Sequence, residues 1–151
     1  MNTTHNYEIN LEWNSERIGE VSSPVLNNSI EIATPPEFPK GIAGIWSPEH
    51  LFVASVSSCL MTTFLAIAEN SKLEFLSLDI NANGTLDRKD GKFLISKIEL
   101  KPILTIPNET NRDKAERILN KSEAACLISN SILSEISMEP KILISDPELV
   151  N

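Results

Sequence analysis

Cysteine and histidine are scarce in this chain of 151 residues, which holds two of each. Two cysteines cannot make a disulfide-dense scaffold, and in a reducing compartment such a pair is more often inert or catalytic than a permanent cross-link. The histidines, His5 and His50, are far apart. His50 beside Glu49 offers one imidazole and one carboxylate, too few ligands for a metal centre. Basic residues are also in deficit: 13 Lys and Arg against 21 Asp and Glu leave a net charge of −8. That balance makes nucleic acid and anionic membranes poor partners. An apolar leader is lacking too, since residues 1–14 hold no apolar run, so no cleavable signal fits and the expected location is the cytoplasm. There is no internal repeat and no low-complexity tract.

What is present suits one globular domain spanning residues 1–151. The main ambiguity is the stretch from Leu51 to Ala68, eighteen residues without a charge. That is the lower limit for a membrane span. It carries Ser55, Ser57, Ser58, Thr62 and Thr63 and has no basic flank, which favours the central helix of a folded core. Such a helix needs cover on every side, from a sheet and from a second subunit.

Tyr7, Ile9, Leu11 and Trp13 alternate with polar residues and predict a strand with one buried face, followed by a turn at Asn14–Ser15. Short strands are expected over 17–22 and 29–33. Pro35, Pro36 and Pro39 make the following loop stiff. Ser47 and Pro48 are a helix start, with serine at the N-cap and proline at the first helical position. Glu49 then meets the positive end of the helix dipole, and the helix should run to about Asn70. Strands are predicted over 76–85 and 93–106, around a turn signal at Asp87–Gly91, with Pro102 marking a bend or an edge. A second helix beginning near Thr110 carries a stripe of Ala115, Ile118, Leu119, Ser122, Cys126, Ser129 and Leu133. One last strand is expected over 136–144. The order βββ-α-ββ-α-β argues an α+β fold, strands packed on two helices.

Cys59 and Cys126 thus both read as residues of apolar helices, a half-buried thiol pair brought together by tertiary structure. A cysteine attacks a peroxide as the thiolate, which is the minor form at neutral pH unless something stabilises it. A guanidinium held by a carboxylate is suited to that task. Glu49 lies ten residues before Cys59, a rise of about 15 Å along a straight helix. The two meet only if the helix kinks, for which Ser57–Ser58 is a candidate, or if Glu49 faces the Cys59 of a second chain. Of the four arginines, Arg88 falls in a turn, and Arg112 and Arg117 at the polar start of the second helix. That leaves Arg17, with Lys40 as a second source of charge.

The segment Pro48-Glu49-x-Leu51, the ten-residue step from Glu49 to Cys59, and Cys126 followed by Ile128-Ser129-Asn130 resemble the OsmC/Ohr family of thiol peroxidases. The resemblance follows the element order of nearly the whole chain. It implies sheets packed around a long central apolar helix in an intertwined homodimer, with the active site at the subunit interface. It implies that Cys59 is the peroxidatic thiol and that Cys126 resolves its sulfenic acid as a disulfide. Arg17, in a position similar to that of the Ohr branch, would stabilise the thiolate, and Glu49 would orient Arg17. The OsmC branch takes its arginine from the loop that here holds Pro39 and Lys40. No metal or bound organic cofactor is implied. The co-substrates would be an organic hydroperoxide, seated against Phe38, Ile42, Ile45 and Trp46, and a dithiol reductant protein, lipoyl-bearing in the Ohr branch. Leu127 departs from the family pattern, which often has proline after the second cysteine. Two other readings stay open on the same residues: a non-catalytic small-molecule binding protein on this fold, and a thiol redox sensor that does not turn over.

Overall fold

The computed structural model describes residues 3–145. The chain forms two compact units, Met1–Phe52 and Val53–Asn151. The first holds an antiparallel sheet of β1 (Asn10–Ser15), β2 (Ile18–Ser22) and β3 (Ile30–Ala33), in that order. Its turn comes at Glu16–Arg17, two residues later than the sequence suggested, because Glu16 adopts a left-handed conformation (φ 50°) and Ser15 pairs with Ile18. The predicted alternation is present in β1, but this chain does not bury it. Leu11 is 64% exposed and Trp13 73% exposed. Alternation reports that a face is apolar and not which molecule covers it.

Helix α1 (Pro48–Asn70) begins where Ser47 and Pro48 place it. The Ser47 hydroxyl accepts the His50 backbone N–H at 3.1 Å, an N-cap bond, and also meets His50 Nδ1 at 2.6 Å. His50 is therefore engaged in capping. The helix is long and apolar enough to cross a membrane by length and composition, yet its stripe Val56, Cys59, Leu60, Phe64 and Ala68 is buried in protein. It runs unbroken through Ser57 and Ser58, whose hydroxyls bond back to the Ala54 carbonyl.

In the second unit, β4 (Ser77–Lys89) and β5 (Lys92–Ile106) form a long antiparallel hairpin. Its turn is Asp90–Gly91, both at positive φ, the geometry that matches the strand twist. The single last strand expected over 136–144 is two: β6 (Glu135–Met138) and β7 (Lys141–Ile144), both parallel to β5. The reason lies in β5. The Leu100 and Ile106 carbonyls accept from Glu139 and Ser145, so even-numbered residues of β5 turn their backbone toward this flank. Pro102 shares that parity and has no N–H to give, and it falls in the gap between Leu100–Met138 and Ile103–Lys141 pairing. Pro102 is thus buried in a central strand and not at an edge.

The same parity sends Ile98, Leu100, Leu104 and Ile106 inward. Leu104 and Ile106 join Phe64 and Ala68 of α1, and Ala115, Ile118 and Leu119 of α2 (Arg112–Ala124), in one core. Phe64 and Phe75 meet edge to face at 5.2 Å. Gly84 lets α1 approach the sheet: a Cβ there would lie 2.5 Å from Val53 Cγ2. Valine on a helix has one strongly preferred rotamer and cannot swing aside. Gly84→Ala should therefore cost about 1–3 kcal/mol, read by denaturant titration, and Val53→Ala should restore most of that loss in the double variant.

Candidate functional site

The second unit brings the two cysteines together. Cys59 sits in the middle of α1 on its buried stripe. Cys126, fully buried, lies just beyond α2 and not on it. The helix ends at Ala124 because the chain tightens: the Cys126 N–H donates to the Glu123 carbonyl at 3.1 Å, three residues back, and a 3₁₀ turn follows at Ser129–Ser131. Leu133, assigned to the same stripe from its spacing, is fully exposed. This tight turn brings the backbone of residues 127 and 128 to Cys59 of α1. The Cys126 thiol and the Leu127 and Ile128 backbones lie close enough to the Cys59 sulfur to act on it as donors. Thr63, one helical turn beyond Cys59, contributes its hydroxyl at 3.8 Å from the sulfur. Both cysteines are free thiols.

The electrostatic consequence is asymmetric. Burial pushes the Cys59 thiol up, but the Cys126 thiol, the Ile128 backbone, the Thr63 hydroxyl and the Leu127 backbone outweigh it. The net effect holds Cys59 below the ordinary thiol range. Cys126 goes the other way: burial raises it, and its role as donor to Cys59 raises it further, against smaller help from Ser129. One thiol is set to ionise and its neighbour to keep its proton. Nothing marks Thr63 in the sequence beyond its i, i+4 spacing from Cys59, and the backbone donors carry no residue signature.

The first unit holds the other predicted groups. Arg17 is in the β1–β2 turn and not in a strand, exposed to solvent. Arg17 and Glu49 both line a cleft of about 690 Å³, whose walls include Trp13, Ile32 and Phe38. They share the cleft without an ion pair: Glu49 Oε1 is buried and has no hydrogen-bond partner among the described residues. Arg17 also lines a smaller recess of about 470 Å³ with Glu16 and Lys40, so both candidate cations border one space. Lys40 is held in a left-handed conformation (φ 63°) in the Pro-rich loop. Of the four groove residues expected from the sequence, Phe38 lines the larger cleft, whereas Ile42, Ile45 and Trp46 are not among its lining residues. Trp46 instead bridges to Ile32 and stacks edge-on against His50 at 6.2 Å. Among the described residues no cluster of three His, Cys, Asp or Glu side chains is arranged to hold a metal ion.

This chain has relatives of known fold. An OsmC-like protein of unknown function from Vibrio cholerae superposes with a TM-score of 0.82 at 23% identity, covering 91% of this chain and 99% of that one. An organic hydroperoxide resistance protein from Elizabethkingia anophelis superposes with a TM-score of 0.71 at 20% identity, over 96% of this chain and all of that one. In sequence, the uncharacterized protein YmaD of Bacillus subtilis is 24% identical over 140 residues, 89% of this chain and 91% of its own length. Peroxiredoxin OsmC of Escherichia coli is 27% identical over 93 residues, 62% of this chain and 64% of its own length. The family model described as OsmC-like protein matches residues 41–141, which takes in α1, both cysteines and all of the second unit's sheet up to the first residue of β7. The chain belongs to the OsmC-like family.

Proposed function

We propose that this protein is a cysteine-based peroxidase that reduces organic hydroperoxides. The observation that carries the reading is the contact of Cys59 with Cys126, in which one thiol is favoured as the anion and the other as its proton-bearing donor. The names of two relatives point the same way, peroxiredoxin and organic hydroperoxide resistance protein. The Cys59 thiolate attacks the outer peroxide oxygen. The O–O bond breaks, alkoxide leaves to take up a proton, and Cys59 becomes a sulfenic acid. Cys126 then displaces water from that sulfur and closes a disulfide. An external dithiol reopens it by exchange, through a mixed disulfide.

Cys59 and Cys126 suffice for the redox steps, and Arg17 with Glu49 supplies the charge. A homodimer is the arrangement that fits them. Glu49 is ten residues along an unbroken helix from Cys59, about 15 Å in rise. Its buried oxygen has no partner among the described residues, and β1 leaves an apolar face bare. A second copy that covers this face brings Arg17 and Glu49 of one subunit to the thiol of the other. The cleft beside them, with Phe38 and Trp13 in its walls, receives the alkyl part of the peroxide. A cytoplasmic setting, where dithiol reductants are maintained, suits the cycle.

Three results are expected. Cys59→Ser abolishes consumption of an organic hydroperoxide in the presence of dithiol, while Cys126→Ser still consumes one equivalent and traps Cys59 as a sulfenic acid that a dimedone probe labels. Arg17→Ala slows peroxide consumption more than Lys40→Ala does; the reverse order would assign the thiolate's cation to the loop. Because Cys59 is held below the ordinary thiol range, its alkylation by iodoacetamide should reach half its plateau rate below the free-thiol value of about 8.5. In Cys126→Ala, which removes the donor, that midpoint should move upward.

A further inference from the structure

The turn that carries Cys126 holds two buried polar atoms the redox pair does not explain. Glu123 Oε2 and Ser129 Oγ are both cut off from solvent, and among the described residues neither completes a hydrogen bond. Unsatisfied buried groups are rare and costly, and here two occur within one tight turn. Glu123 is three residues before Cys126 and Ser129 three residues after it. The turn is locked on both sides, with the Cys126 N–H donating to the Glu123 carbonyl and the Cys126 carbonyl accepting from Asn130, each at 3.1 Å. The Ser129 hydroxyl is close enough to bear on both the Glu123 carboxyl and the Cys126 sulfur, yet Oγ stays uncommitted. Glu123 and Ser129 thus flank the thiol that must lose a proton, three residues to either side of it.

We propose that Glu123, acting through the Ser129 hydroxyl, is the proton acceptor for Cys126 when Cys126 resolves the Cys59 sulfenic acid. The inference rests on the peroxidase reading above and assigns a step within it. As the Cys126 sulfur bonds to the Cys59 sulfur, its proton passes to Ser129 Oγ while the Ser129 proton passes to the Glu123 carboxylate. The S–O bond of the sulfenic acid breaks with its electron pair on oxygen, and the proton returns from Glu123 to make that oxygen water. The Cys126 sulfur is oxidised, the sulfenic sulfur is reduced, and no proton is gained or lost overall.

The need for such a base follows from the thiol pair. Burial and the bond to Cys59 hold the Cys126 proton on, so the resolving thiol is a poor nucleophile by itself. Glu123 is displaced in the helpful direction: burial raises its carboxyl above the usual range, with Ser129 opposing only in part. A base whose pKa lies closer to that of the thiol is better matched for the transfer. Among the described residues the titratable groups that bear on this turn are Cys59 from α1, and Glu123 and Cys126 themselves.

The test separates the two steps in rapid-mixing experiments with cumene hydroperoxide on the full chain. Sulfenic acid formation is followed by a dimedone probe, and disulfide formation by quenched mass analysis. Glu123→Gln should leave the first step unchanged and slow disulfide formation at least ~10-fold, toward the range general bases supply. The pH profile of disulfide formation should also move to higher pH, to that of the unassisted thiol. Ser129→Ala, which removes one unpartnered oxygen, should give the same split, and Glu123→Asp should recover part of the rate. Equal disulfide rates and pH profiles in wild type and Glu123→Gln would overturn the inference and leave the peroxidase reading standing. Equal slowing of both steps would also overturn it, marking Glu123 as structural. A wild type that forms no sulfenic acid would remove the peroxidase reading and this step with it.

Discussion

The contact between the Cys59 sulfur and the turn at Cys126–Ile128 is the constraint on which the rest of the site depends. A thiol buried in an apolar helix stripe should be harder to ionise than a free one. Here the cost of burial is outweighed by donors that arrive from a different element: a thiol, two stretches of backbone and a helix-borne hydroxyl. Delivering them requires α2 to end early. If the helix had continued past Ala124, the backbone of residues 127 and 128 would have been spent on intrahelical bonds. The i, i+3 bond at Cys126 and the 3₁₀ turn after it free those groups and point them at α1.

The sheet of the second unit serves that contact. β5 is buried along one face and packs against both α1 and α2 through Leu104 and Ile106, so the helix with Cys59 and the helix leading to Cys126 share one core. Gly84 removes the side chain that would hold α1 off the strand. Pro102 divides the parallel flank into β6 and β7 without weakening the hairpin on the other side. In the first unit stands a second set of groups, unpaired among the described residues: an exposed guanidinium, and a carboxylate oxygen that is buried without a partner. A carboxylate left in that state is a destabilising feature unless something completes it, and a second subunit is the economical candidate.

Much of the fold was legible because its signals are local. Ser47 and Pro48 mark a helix start through capping chemistry, Asp90–Gly91 marks a hairpin through positive φ, and alternation marks the strands. The α+β class and the order of elements up to the last strand, which is two, followed from these. What failed was of a different kind. Spacings of three and four residues continue from Ser122 through Cys126 to Ser129, and periodicity cannot tell an α-helix from a helix that tightens and turns. The buried face of β1 was inferred from alternation, which is blind to whether the cover belongs to the same chain. Arg17 was assigned to a strand because the turn at Glu16 depends on a left-handed backbone at a residue that rarely adopts one. Cys59 and Cys126 could be named from their motifs, but their donors could not. Leu127 and Ile128 act through backbone, and Thr63 looked like one more small residue in an apolar run.

The most direct test of the account is intact-mass analysis of the reduced protein after one equivalent of an organic hydroperoxide, followed by a lipoyl-type dithiol. The protein should lose two hydrogens, mapped to a Cys59–Cys126 linkage and restored by the dithiol. An unchanged mass, with both thiols still open to alkylation, would contradict it and leave the fold as a binding scaffold.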